Sequence, residues 1–137
     1  MRKEIKLKNQ VEELEHVARF VEEIGKELGL DMELRMNLNL VMEEMVSNII
    51  FYAYPEGTEG TIELATESDG KELTFFLSDQ GREFDPTQKK DPDLDINPAK
   101  RDIGGMGIYI VKNIMDHVSY QRLRGKNLLI MKKVIVR

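Results

Sequence analysis

The residues of this sequence whose types and spacing first suggest chemistry are Glu44 and Asn48. They lie within residues 31–52, where apolar side chains recur at the spacing of a helix. Because a helix turns by about 100° per residue, both side chains fall on one flank of the apolar stripe, while Glu43 points away from the core. A carboxylate and an amide at the rim of a core can reach one small cavity. The alternative is a solvated helix flank, and the pair alone does not decide between the two.

A second candidate, Asp79, ends an apolar row on a predicted strand. Because side chains alternate along a strand, one face of it carries Leu73, Phe75, Leu77 and Asp79. A buried charge is costly unless it is paired or hydrogen-bonded. Asp79 therefore either stabilises the turn that follows it or receives a ligand.

A glycine-rich stretch supplies the third candidate. Glycines let backbone N–H groups approach an anion closely, and a helix N-terminus attracts negative charge. The stretch leads into an apolar helical segment and follows residues 87–102, whose polar composition and length predict a lid or binding loop. It lacks the lysine of a Walker motif, and its alternative role is a flexible start to the helix. Its residues are Gly104, Gly105, Met106 and Gly107.

The first half of the chain predicts a strand and two helices. Residues 3–8 alternate apolar and charged side chains, which is typical of an edge strand. Asn9, with Glu12 three residues later, predicts a capping box at the start of the first helix. Asp31 is the predicted N-cap of the second helix, which must end before Pro55.

The second half predicts two pairs of strands with a third helix between them. Asp69-Gly70 is the dipeptide most typical of a tight hairpin turn, and it separates the first pair. The third helix, at residues 108–115, precedes the second pair. The four predicted strands span residues 61–68, 71–78, 118–123 and 128–136.

Length and composition limit the class of protein. At 137 residues the chain fits one domain, 1–137, and its content of 41% hydrophobic and 33% charged residues is that of a soluble globular protein. The formal net charge of −5 argues against a nucleic-acid partner, and no apolar run approaches a membrane span or a signal peptide. Cysteine is absent, and His16 and His117 lack a ligand-like companion, so both are predicted to be structural. The expected compartment is the cytoplasm.

In their order and spacing, the three polar stretches resemble the sequence boxes of the Bergerat-fold ATPases, the superfamily of gyrase B subunits, histidine kinases and MutL. Glu44 and Asn48 resemble the N box, residues 79–86 the first glycine box, and residues 104–107 the second. The resemblance is strongest to the small anti-sigma factor serine kinases of bacteria, and it covers nearly the whole chain. Together with the predicted elements it implies an α/β two-layer sandwich, with a mixed, mainly antiparallel sheet covered on one face by three helices.

The resemblance also implies ATP and Mg²⁺ as cofactors and gives roles to individual residues. Asp79 would accept a hydrogen bond from the adenine amino group, Asn48 would bind Mg²⁺ through its side-chain oxygen, and Glu44 would be the general base. Gly81 and Phe84 belong to the first glycine box, beside the nucleotide. The second glycine box would wrap the phosphates beneath the predicted lid.

Three positions depart from the family pattern. Tyr52 stands where many members have a histidine, and Ile103 where many have an arginine directly before the second glycine box. Arg101, two residues earlier, would reach the γ-phosphate instead. Asn127 replaces a threonine that is usual near the adenine-binding aspartate, and it too can donate and accept hydrogen bonds. These departures bear on phosphate handling more than on nucleotide binding.

The function implied by the resemblance is that of an ATP-dependent serine kinase that phosphorylates a small antagonist protein and sequesters a sigma factor. The exposed face of the sheet would pair two such chains as a homodimer. The alternative is a nucleotide-dependent regulatory binding module of the same fold with little or no kinase activity. Retention of Glu44 favours the kinase, whereas the altered lid arginine favours the binding module. A third possibility, a self-contained ATP hydrolase, would need a γ-phosphate lysine from an additional domain that this sequence lacks.

Overall fold

The computed structural model describes residues 1–88 and 105–136, apart from the side chains of residues 105 and 106. Within these residues the helices are α1 (Leu14–Glu27), α2 (Met32–Tyr52) and α3 (Gly105–Ile114). The strands are β1 (Arg2–Lys8), β2 (Thr61–Ser68), β3 (Glu72–Asp79), β4 (His117–Leu123) and β5 (Lys126–Val134). Two short 3₁₀ turns span Val11–Glu13 and Pro86–Gln88.

The five strands form one sheet in the order β1-β2-β3-β5-β4, and every neighbouring pair is antiparallel. The predicted α/β sandwich is confirmed, but the described sheet is antiparallel throughout rather than mixed. Two helices separate β1 from β2, so the chain enters β2 running opposite to β1. Strand β4 runs in the same direction as β3, but β5 lies between them and no parallel pair forms.

Helix α2 is the central helix of the layer that covers the sheet. It contacts both α1 and α3, and its buried side chains join those of β2, β3 and β5 in one hydrophobic core. Burying a large apolar side chain contributes roughly 1.5–3 kcal/mol, so this burial fixes which flank of the helix remains accessible. The fully buried side chains of α2 are Leu38, Val41, Met42, Met45 and Val46.

The predicted start of α2 is confirmed. Oδ1 of Asp31 accepts a hydrogen bond from the backbone N–H of Leu34 at 2.8 Å, which is the contact an N-cap supplies. Just before it, Gly29 follows the end of α1 with a φ of 67°, the left-handed conformation that commonly ends a helix.

No helix within residues 1–88 or 105–136 has the length and apolar character needed to cross a membrane.

The predicted start of the first helix is wrong. A 3₁₀ turn precedes α1, and its N-cap residue, Gln10, makes no side-chain cap. The side chain of Asn9 instead donates to the carbonyl of Thr58 at 2.8 Å and accepts from the N–H of Gly60 at 2.9 Å. Asn9 thus ties the end of β1 to the loop before β2, and its polar groups are no longer free to cap a helix.

Candidate functional site

A cavity of about 260 Å³ opens between the C-terminal half of α2, the end of β3 and the start of β5. Its walls are mainly apolar, with a few polar groups among them, which is the usual character of a small-molecule site. Seven apolar residues line it: Met45, Ile49, Ala53, Leu77, Phe84, Pro86 and Leu129. Five of the site residues predicted from the sequence are among its lining residues: Asn48, Tyr52, Asp79, Phe84 and Asn127.

Asp79 is the buried carboxylate of this cavity, with 6% of its surface exposed. Its Oδ1 accepts hydrogen bonds from the N–H of Gly81 at 2.8 Å and from Nδ2 of Asn127 at 3.0 Å. In the described part of the chain, Asp79 forms no ion pair and its Oδ2 accepts no hydrogen bond. Buried polar atoms normally have a partner. A carboxylate oxygen left open on a cavity therefore suits a ligand that donates a hydrogen bond.

Asn127 lies opposite Asp79 in the pairing of β3 with β5, and it is also buried. Its Nδ2 donates to Asp79 and to the carbonyl of Arg82, the latter at 2.8 Å. Its Oδ1 accepts from the hydroxyl of Tyr120 at 2.5 Å. Asn127 therefore lies beside Asp79, as predicted, but both of its amide hydrogens are used within the protein.

The turn that follows Asp79 packs against the end of α2. A Cβ atom at Gly81 would lie 2.4 Å from the carbonyl oxygen of Ala53. The backbone N–H of Arg82 donates to that same oxygen at 2.8 Å. Close packing at this point therefore requires a glycine, whether or not a ligand is bound.

We expect Gly81→Ala to lower the free energy of unfolding by about 1–3 kcal/mol, because the atom in its way is a hydrogen-bonded backbone oxygen. Urea unfolding followed by circular dichroism measures this change. The matched control is Gln80→Ala, which alters the exposed side chain of the preceding residue and should leave stability unchanged. An alanine at 81 with the stability of the unmutated protein would mean that the turn moves away freely.

The hydroxyl of Tyr54 holds the same turn from its other side. It accepts from the N–H of Gln80 and donates to the carbonyl of Thr61, both at 2.8 Å. Burial and the nearby charge of Asp79 raise the pKa of Tyr54, against the opposing effect of its backbone hydrogen bonds. The hydroxyl therefore stays protonated at neutral pH and can keep both contacts.

Glu44 and Asn48 lie one turn apart on the accessible flank of α2, and Glu43 is exposed, as the helical spacing predicted. A Cβ atom at Gly107 would lie 3.0 Å from Oε2 of Glu44, so the start of α3 directly approaches this carboxylate. The first turn of a helix carries backbone N–H groups without partners inside the helix. Helix packing therefore brings a carboxylate, an amide and a helix N-terminus together next to the cavity.

Several predicted features lie outside the described residues. These are Arg101, Gly104 and the part of the predicted lid at residues 89–102. Gly105 is the first residue of α3, and the side chain of Met106 is not described.

The chemistry of a nucleotide fits the residues that are present. An apolar slot closed by a buried acceptor suits a flat purine that carries an amino group. In the described ranges no three His, Cys, Asp or Glu side chains converge to hold a metal ion. A Mg²⁺ ion bound through the Asn48 amide would thus take its remaining ligands from phosphates and water, as this ion commonly does.

The two histidines lie on separate elements. Nδ1 of His16 lies 2.7 Å from Oε1 of Glu13, and His117 is an exposed residue at the start of β4.

Sequence reasoning missed part of the cavity. Leu77 and Leu129 lie two residues from Asp79 and Asn127 on the same strand faces, so the alternation rule could have included them. Tyr120 lines the cavity from β4, where strand alternation puts it on the same face as Val118 and Arg122 but gives no sign that this face reaches the cavity.

These features define a domain with a small-molecule cavity between a helix layer and an antiparallel sheet. The model of the histidine kinase-like ATPase domain matches residues 7–133, and the chain belongs to this family. It is similar to the serine/threonine-protein kinase BtrW of Bordetella bronchiseptica, with 32% identity over 94 residues that make up 69% of this chain and 66% of the relative. It is also similar to the serine-protein kinase RsbW of Bacillus subtilis, with 24% identity over 106 residues, 74% of this chain and 66% of the relative. The chain thus spans just under two thirds of the length of these relatives.

Solved structures confirm the predicted fold. The crystal structure of the RsbU and RsbW domains of a Mycobacterium tuberculosis protein superposes with a TM-score of 0.72 at 14% identity, covering 100% of this chain and 33% of that one. The histidine kinase domain of a blue-light activated histidine kinase from Erythrobacter litoralis gives a TM-score of 0.57 at 14% identity, covering 89% of this chain and 60% of that one. The resemblance to the Bergerat-fold ATPases is therefore confirmed in both sequence and fold.

Proposed function

We propose that this protein is an ATP-dependent serine kinase of the cytoplasm that phosphorylates a small antagonist protein and sequesters a sigma factor. The family supports the use of ATP, and the names of the similar relatives support transfer to serine. The observation that carries the kinase reaction is the position of Glu44, against the start of α3 and one turn from Asn48. The antagonist and the sigma factor come from the resemblance to anti-sigma factor kinases.

In this proposal the two ends of the nucleotide meet different elements. Oδ2 of Asp79 accepts a hydrogen bond from the adenine amino group at the end of the apolar cavity. The backbone N–H groups at the start of α3, near Gly107, face the phosphates. Asn48 offers its amide oxygen to Mg²⁺, which when bound neutralises phosphate charge. The base and the triphosphate are thus held by separate parts of the fold.

Glu44 has the role of general base. It accepts the proton of the substrate serine hydroxyl as the serine oxygen forms its bond to the γ-phosphorus and the bond to the leaving ADP oxygen breaks. Within the described residues its carboxylate accepts no hydrogen bond and forms no ion pair, so no donor there occupies the oxygen that would take that proton.

The second face of the sheet supports assembly as a homodimer. Opposite the helices, Ala65, Phe76 and Ile130 are cross-strand neighbours on β2, β3 and β5, and Leu128 lies next to them. All four are only half-buried in a single chain. An apolar patch at the centre of a sheet face that none of the described helices covers is the type of surface that a second subunit buries.

The experiment that tests this function is a transfer assay with radiolabelled ATP and a candidate antagonist protein. We expect label on the antagonist in the presence of Mg²⁺, recovered as phosphoserine after hydrolysis, and none when EDTA removes the metal ion. The control is an antagonist whose acceptor serine is replaced by alanine. Binding of Mg-ATP without transfer to any antagonist would favour the regulatory binding module over the kinase.

A further inference from the structure

The Tyr120 hydroxyl begins a chain of hydrogen bonds that ends on the Asp79 carboxylate. It donates to Oδ1 of Asn127 at 2.5 Å, and Nδ2 of Asn127 donates to Oδ1 of Asp79 at 3.0 Å. The three residues come from β4, β5 and β3, and all three line the cavity. Three neighbouring strands of the sheet are thus linked through side chains at the proposed base site.

The contacts of Asn127 leave it a single orientation. Its Nδ2 lies between two acceptors, Oδ1 of Asp79 and, at 2.8 Å, the carbonyl oxygen of Arg82. Its Oδ1 lies near two donors, the hydroxyl of Tyr120 and, at 3.5 Å, the N–H of Phe84. Turning the amide over would place oxygen against the acceptors and NH₂ against the Phe84 donor. Asn127 therefore has no hydrogen left for a ligand, and its effect on a ligand must pass through Asp79.

The two oxygens of the Asp79 carboxylate consequently differ in the hydrogen bonds that they accept. Oδ1 accepts from both Asn127 and the N–H of Gly81, while Oδ2 accepts from none of the described residues. Burial raises the pKa of the Tyr120 hydroxyl, although the Phe84 backbone acts to lower it. Tyr120 thus stays a protonated donor at neutral pH and keeps Asn127 in place.

We propose that Tyr120 and Asn127 are positioning residues that set the base preference of the cavity by holding Asp79 with one acceptor oxygen turned to the base. A fixed acceptor favours a purine with an exocyclic amino group at that point. It disfavours a purine with a carbonyl there, because two acceptors would face each other. The inference rests on the proposed nucleotide site and adds Tyr120 as a determinant of its selectivity.

The test compares the dissociation constants of Mg-ATP and Mg-GTP by calorimetry in the unmutated protein and two variants. Asn127→Ala removes the donor to Asp79, and we expect the preference for ATP over GTP to fall by about tenfold or more. Tyr120→Phe keeps the ring on the cavity wall and removes only the hydroxyl, so we expect a smaller fall of about threefold. The preference falls because only ATP uses the positioned oxygen, so a loosened carboxylate weakens ATP much more than GTP.

The matched control is Gln121→Ala, which alters the exposed neighbour of Tyr120 on the opposite face of β4 and should leave both dissociation constants unchanged. Equal weakening of ATP and GTP in the two variants would indicate a purely structural role and overturn the inference, as would an unchanged preference. If Asn127→Ala does not fold, Tyr120→Phe decides the question alone. An unmutated protein that binds neither nucleotide would contradict the proposed function itself, which is a different result from a lost preference.

Discussion

Replacing Glu44 with glutamine is expected to slow phosphoryl transfer by roughly a hundredfold while leaving the affinity for Mg-ATP nearly unchanged. Glutamine keeps the size and reach of the side chain but cannot take a proton. Glu44 is not among the described residues that line the cavity between α2, β3 and β5, so the substitution leaves the walls of that cavity intact. The measurements are the initial rate of serine phosphorylation at saturating ATP and the dissociation constant of Mg-ATP by calorimetry.

Two neighbours on α2 serve as controls for this result. Glu43→Gln makes the same chemical change on an exposed side chain that points away from the cavity, and neither quantity should change. Asn48→Ala removes the proposed Mg²⁺ ligand and should weaken Mg-ATP binding itself. A Glu44→Gln variant that phosphorylates as fast as the unmutated protein would rule out the general-base role.

Asp79→Asn is expected to weaken ATP binding by about 2 kcal/mol or more, roughly thirtyfold. The hydrogen bonds around Asp79 explain why so small a change has this effect. Oδ1 accepts two N–H groups, from Gly81 and Asn127, so the oxygen of the new amide must occupy that position. The new NH₂ group would then take the place of Oδ2, where at the proposed base site it would face the adenine amino group, donor against donor.

Titration with Mg-ATP and Mg-GTP measures this effect, and the unmutated protein is expected to bind ATP in preference to GTP. Asp69→Asn provides the matched control, because it removes the same charge at the hairpin turn before the other end of β3. Nucleotide affinity should be unaffected by it. Equal affinity of the unmutated protein for ATP and GTP would mean that Asp79 does not recognise the base.

The parts of the site that depend on local periodicity could be predicted from the sequence. Helical spacing placed Glu44 and Asn48 on one flank of the apolar stripe and turned Glu43 away from the core, and strand alternation placed Asp79 at the end of a buried row. Each inference needs only the geometry of a single helix or strand. The resemblance to known sequence boxes supplied what periodicity could not, namely that these elements meet at one site.

The parts that depend on pairing between distant segments could not be derived in this way. The register that sets Asn127 opposite Asp79, and with it the hydrogen bond from Tyr120, follows from the insertion of β5 between β3 and β4. Nothing in either strand alone specifies that register. The capping box predicted at Asn9 failed for a related reason, since a loop about fifty residues away satisfies the Asn9 side chain instead.

The central place of β5 also bears on the order in which the chain can fold. Asp79 and Asn127 are 48 residues apart in the sequence. Asn127 lies on β5, which is the last strand of the described residues. Until β5 arrives, β3 is an open edge with a row of unpaired backbone groups, the state in which strands pair with the wrong partner. The cavity between α2, β3 and β5 exists only after that edge is closed, because β5 supplies Asn127 and Leu129 to its lining. A nucleotide that binds there stabilises the completed sheet and none of the states before it. ATP would therefore act on this protein as a folding ligand, favouring chains whose last strand is in place.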